Sequence, residues 1–176
     1  MSASVDFIVL GLPRSGTTWL ANWLTTDRSL CLHDPFSRTL PEHWDAGSKR
    51  LGIACTGAYM LPGWLEQQDA PTVVIERDHA ACDASLEAMR LPVTTERMRG
   101  LLDTARGRRW QFSDIWNEEK ARELWCFLLP GIAFDAPRYR LLQEFQVQPH
   151  MGKWTHDEGI VGEVIARGWC RTKQGS

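Results

Sequence analysis

The chain has 176 residues, 43% hydrophobic and 24% charged, which suits one globular domain around a single core and excludes a disordered or fibrous chain. Twenty basic side chains against 22 acidic ones leave a formal charge of −2, so no global field draws it to nucleic acid or an anionic membrane, and any anion site has to be local. The longest nearly apolar run, Leu124 to Phe134, is interrupted by Pro130 and Gly131. It falls short of the roughly 18 residues of a membrane helix. The opening Met-Ser-Ala-Ser-Val-Asp lacks the basic start and apolar stretch of a secretory signal, so the chain reads as soluble and cytoplasmic.

Val5 to Leu10 is a β-rich apolar run followed by glycine and predicts a buried strand. Trp19, Leu20, Trp23 and Leu24 recur at the helical interval and predict a helix from Thr17. Ser29 to Leu32 predicts a second strand, stopped at His33-Asp34-Pro35, and the stretch from Phe36 to Lys49 reads as loop. Leu51 to Cys55 predicts a third strand leaving through Thr56-Gly57 into a helix over Ala58 to Gln67. Thr72 to Ile75 is a β-branched strand, and Ala80 to Met89 is helical with Pro92 as its stop. Thr94 caps a helix bearing Met98, Leu101, Leu102 and Ala105 that closes at Gly107, while Arg106, Arg108 and Arg109 read as a solvated basic face. Asn117 with Glu118 and Glu119 opens a helix that runs to Pro130, and Pro137 opens another through Phe145. Strands alternating with helices predict one α/β domain, a three-layer sandwich with a central parallel sheet. Five cysteines without a CxxC pair read as reduced, mostly buried thiols, with no metal site. Nine tryptophans read mainly as core, with a minority available to stack on a flat ligand such as adenine.

Most of the chemical information lies in Gly11-Leu12-Pro13-Arg14-Ser15-Gly16-Thr17-Thr18, between the first strand and the first helix. A loop at that junction aims successive backbone N–H groups at one point and adds the positive end of the helix dipole. Gly11 and Gly16 clear the approach, Thr17 and Thr18 supply hydroxyls and Arg14 the full charge. Compared with a nucleotide-triphosphate P-loop, the lysine position holds Thr17, which removes a main electrostatic part of ATP or GTP chemistry.

The run Pro13-Arg14-Ser15-Gly16-Thr17-Thr18-Trp19 resembles the 5′-phosphosulfate loop of sulfotransferases that use 3′-phosphoadenosine 5′-phosphosulfate (PAPS). By that resemblance Arg14, Ser15, Gly16, Thr17 and Thr18 hold the phosphosulfate. Thr72 to Ile75 followed by Arg77, with Ser85 eight residues later, resembles the strand, Arg and Ser that bind the donor's 3′-phosphate in the same family. The resemblance implies a P-loop NTPase-like fold, a single sulfotransferase-like domain over residues 1–176 and the product 3′-phosphoadenosine 5′-phosphate (PAP). It also implies a small-molecule or carbohydrate acceptor carrying a hydroxyl or amine. The segments Gly152-Lys153-Trp154 and Gly159 to Gly162 resemble the stretch that closes over PAPS in cytosolic relatives, so 151–176 reads as a lid or tail.

Sulfuryl transfer needs a base for the acceptor proton and cations for the leaving phosphate. His33 and Asp34 stand at the carboxyl end of the second strand, on the ligand edge of such a sheet. Leu32-His33-Asp34-Pro35-Phe36 resembles the acidic-residue-then-proline segment of some carbohydrate sulfotransferases. Catalysis is therefore expected from Asp34 and His33, with Arg14 as the cation. The other reading of Asp34 is an Asx turn before proline. Neighbouring strand residues point to opposite faces, so one of the two is expected in the site. His79 is a third candidate base, and Thr56 offers a hydroxyl. A P-loop nucleotide kinase and a non-catalytic phosphonucleotide-binding module are the competing functions.

Overall fold

The computed structural model describes residues 4–91, 93–144 and 166–169. Its elements, in chain order, are β1 (Phe7–Gly11), α1 (Thr17–Leu24), β2 (Ser29–His33), β3 (Arg50–Cys55), α2 (Pro62–Leu65), β4 (Thr72–Glu76), α3 (His79–Ala88), α4 (Glu96–Thr104), β5 (Arg108–Gln111), α5 (Glu118–Leu128) and α6 (Ala136–Gln143). The five strands form one all-parallel sheet in the order β2-β3-β1-β4-β5. Every residue of β1 is buried, as a continuous apolar strand at the centre of a sheet covered on both faces must be.

Side chains of β1 alternate between two cores. Phe7 and Val9 join Trp19 and Trp23 of α1, Leu124 and Trp125 of α5 and Tyr139 of α6. Ile8 and Leu10 join Trp64 of α2, Cys82 of α3 and Leu102 of α4. The result is helices, sheet, helices, as the alternation of elements predicts. The chain leaves β1 toward β2 on one side of the sheet and leaves β4 toward β5 on the other. The crevice above the carboxyl ends of β1 and β4 is therefore a topological switch point, where open α/β sheets take their ligands.

Phe7 and Gly52 are register partners on β1 and β3, and a Cβ on Gly52 would overlap the Phe7 ring. Gly52→Ala is expected to destabilise the fold by about 2 kcal/mol or more, since overpacking here strains a fully buried ring and two central strands. A lower urea midpoint at unchanged slope is the expected readout. A midpoint equal to wild type would show that the ring is not seated on the glycine.

The helix expected after β3, the start of α4, which follows Thr95 rather than a Thr94 cap, and strand β5 depart from the sequence expectation, whereas α3 agrees with it within one residue. The helix expected over Ala58 to Gln67 is instead a tight 3₁₀ turn, Ala58–Met60, followed by the single turn α2. Pro62 has no N–H to continue a helix and holds Leu61 outside the helical region, at φ −115° and ψ 60°. Helix α3 ends before Pro92, which lies outside the described residues. Arg90 takes a left-handed φ of 57°, and the Leu91 N–H closes on the Leu86 carbonyl at 3.0 Å. Strand β5 gives no strand pattern in the sequence, because it is a short edge strand with only Trp110 buried and its charged residues hide the alternation. Arg106, Arg108 and Arg109 are all exposed, as a solvated basic face predicts. Arg108 lies 4.8 Å from the Trp110 ring, and Arg109 donates to the carbonyls of Leu102, Asp103 and Ala105 at the end of α4.

Cys31, Cys55, Cys82 and Cys126 are free, the first three buried, which agrees with reduced structural thiols. Most described tryptophans are core, and Trp116 is the exception at 41% exposure. Phe145 and the segments 152–154 and 159–162 lie outside the described residues.

Candidate functional site

The loop after β1 is closed from within. Ser15 is fully buried, and its hydroxyl and N–H both donate to the Leu12 carbonyl, at 2.6 and 3.1 Å. Its side chain thus shapes the loop rather than facing a ligand. The space for it exists because Gly11 has no Cβ, which would overlap the Ser15 hydroxyl. Gly16 is left-handed at φ 82°, and a Cβ there would meet Phe112 and Ile115 at 3.1 Å. Arg14 is left-handed as well, at φ 71°. That conformation costs a non-glycine residue roughly 1 kcal/mol or more, and the Arg77 guanidinium holds it by donating to the Arg14 carbonyl.

Asp78, Asn117 and Asp135 cap α3, α5 and α6 with their side chains, whereas α1 has no side-chain cap. Its first-turn N–H groups lack intrahelical acceptors and open onto the loop.

The second predicted segment meets the first. Nε of Arg14 donates to Ser85 Oγ at 2.9 Å across 71 residues of sequence. Arg77 lies 4.3 Å over the Phe112 ring. Asp78, next in sequence, accepts the Ala81 N–H at 2.8 Å, and among the described residues no carboxylate forms an ion pair with Arg77. Burial first, and then the neighbouring Arg77 charge, push the Arg14 guanidinium below its usual pKa. Two arginine side chains thus meet beside the N-terminus of α1 in a chain of net charge −2.

His33 and Asp34 both reach this site. Asp34 is left-handed, at φ 44° and ψ 49°, so the strand alternation expected to separate the two side chains ends at that residue. Nε2 of His33 lies 3.3 Å from Asp34 Oδ2, 3.3 Å from Thr17 Oγ1 and 3.1 Å from Thr18 Oγ1. Asp34 Oδ1 accepts the Thr56 N–H at 2.5 Å, and the Thr56 hydroxyl straddles both carboxylate oxygens at 3.1 and 3.2 Å. The Asp34 carboxylate thus bridges two strand exits instead of making the alternative Asx turn, since its side chain does not cap the turn Pro35–Ser37. Tyr59 lies three residues beyond Thr56. Its phenol is pushed well above the usual range, by burial first and then by the Cys55 and Asp34 charges. His79 is exposed and faces Arg99 at 3.2 Å.

An aromatic shelf that the sequence motifs do not announce stands beside the loop. The turn Phe112–Trp116 places Phe112 against Gly16 and Arg77, and the Trp116 and Phe112 rings 5.8 Å apart. Its sequence signal is two aromatic residues four apart after a strand, and the charged composition of β5 hides that strand.

The class that fold and site define is an α/β protein with a central five-stranded parallel sheet flanked by helices and a glycine-containing loop between β1 and α1 at its switch point. Comparison of the chain with protein-family models, curated proteins and solved structures finds no match. Among the described residues no helix is long and apolar enough to cross a membrane, and no three His, Cys, Asp or Glu side chains gather as they would around a metal ion.

Proposed function

We propose that this protein is a PAPS-dependent sulfotransferase of P-loop-like fold, acting on a hydroxyl or amine of a small molecule or carbohydrate. The observation that carries the reading is the Arg14 to Ser85 hydrogen bond of 2.9 Å. It brings together two sequence segments whose family resemblance was independent. The residues present fit such a donor: an α1 N-terminus without a side-chain cap, a loop turned at left-handed Gly16, and the Arg14 and Arg77 side chains beside it.

PAPS supplies an activated sulfuryl group on a phosphate leaving group. The α1 amides with Thr17 and Thr18 hold its 5′ end, and Arg77 with Ser85 holds the 3′-phosphate. As the acceptor oxygen or nitrogen bonds to sulfur, its proton passes to the His33 and Asp34 pair. The bond from sulfur to the bridging phosphate oxygen breaks, and Arg14 holds the charge left on PAP.

PAP without added metal is expected to raise the melting temperature. At a hundredfold excess over its Kd, a ligand of the native state adds about 2.7 kcal/mol. That corresponds to roughly 5 to 10 °C for a domain of this size. Stabilisation by ATP with Mg²⁺ but not by PAP would replace this reading with a nucleotide kinase. PAP binding without transfer to any hydroxyl or amine acceptor would leave a non-catalytic nucleotide-binding module.

A further inference from the structure

His33 Nε2 has three oxygen neighbours, and they do not ask the same of it. The hydroxyls of Thr17 and Thr18 can donate or accept, whereas an ionised Asp34 can only accept. A ring with its lone pair on Nε2 would set that lone pair against the carboxylate oxygen at 3.3 Å. A ring with the proton on Nε2 satisfies the carboxylate and leaves the hydroxyl hydrogens of Thr17 and Thr18 free to point into the loop. The state of the phosphate loop therefore depends on where the Asp34 carboxylate is held. That is decided at the exit of β3, where the Thr56 N–H fixes one carboxylate oxygen and the Thr56 hydroxyl spans both.

We propose that Thr56 is a positioning residue for the anion loop: it fixes Asp34, Asp34 keeps the proton of His33 on Nε2, and both loop threonines are thereby set as donors to a bound phosphate or sulfate group. The part of this inference that concerns His33 stands on the local geometry alone. The part that concerns ligand affinity rests on the proposed function. Thr56 has no direct role in the reaction under this scheme, since its donors are already committed to Asp34.

The test reads the tautomer of His33 by ¹⁵N NMR of the ring nitrogens at a pH where the ring is neutral, with His33→Gln to assign the signals. Wild type is expected to carry the proton on Nε2. Thr56→Val, close in shape but without the hydroxyl, should move an appreciable fraction to Nδ1 and weaken PAP by about two- to tenfold, the size of one hydrogen bond. Thr56→Ser should restore both. A proton on Nδ1 in wild type overturns the proposal, and so does a Thr56→Val protein with unchanged tautomer and unchanged PAP affinity. Should Thr56→Val fail to fold, wild type and Thr56→Ser still decide: both on Nε2 supports the clamp, and a change in Ser opposes it. If wild type does not bind PAP, the sulfotransferase reading fails while the tautomer still tests the clamp.

Discussion

Asp34→Asn is expected to lower the rate of sulfuryl transfer by about a hundredfold or more, the usual size of an acid–base contribution, while PAP affinity changes by no more than about tenfold. The substitution keeps the size of the side chain and an oxygen for the Thr56 N–H, so the turn at β3 can persist. It removes the negative charge 3.3 Å from His33 Nε2 and with it the support for a proton arriving on the pair. His33→Ala is the comparison. A histidine variant that is inactive beside an active Asn variant would assign proton transfer to the ring, and two active variants would place the base elsewhere. Single-turnover measurement with saturating donor separates this loss from any change in binding.

Arg77→Ala is expected to weaken PAP by tenfold to a hundredfold and AMP by a clearly smaller factor. A charge-assisted hydrogen bond to phosphate contributes about 1.5 to 3 kcal/mol, and only PAP has the 3′-phosphate. Some loss for AMP is expected as well, because Arg77 also holds the Arg14 carbonyl in its left-handed turn, so its removal loosens the 5′ site. The ratio of the two affinities is the informative quantity. If it stays constant, Arg77 is a loop brace and a packing partner of Phe112, with no part in reading the nucleotide's 3′ end. Titrating both nucleotides against both proteins by calorimetry settles the matter. Ser85→Ala should narrow the ratio more mildly, since it also releases Arg14 Nε.

Local chemistry made much of this protein legible. A wholly apolar β1, a glycine-rich loop and a tryptophan stripe on α1 each have one economical local structure, and together they predict a phosphate-directed strand, loop and helix. The Asn117 cap and the proline-opened α6 were legible for the same reason: cap and turn preferences act within four residues. Alternation of strands and helices was enough for the three layers, because a parallel sheet has to be covered on both faces.

What remained depended on contacts between residues distant in sequence. Strand β5 is held by its pairing with β4 and by one buried tryptophan, and its own composition argues against a strand. Arg77 turns to the loop because the α3 cap occupies the neighbouring Asp78 and because the Arg14 carbonyl, 63 residues away in sequence, accepts from its guanidinium. Ser15 reads as a ligand hydroxyl in the motif, yet the closure of the loop over Gly11 turns it inward. Asp34 and His33 would lie on opposite faces of a continuing strand. They meet because Pro35 ends β2 and Thr56, arriving from β3, holds Asp34 in a left-handed turn that no local preference of aspartate would secure by itself.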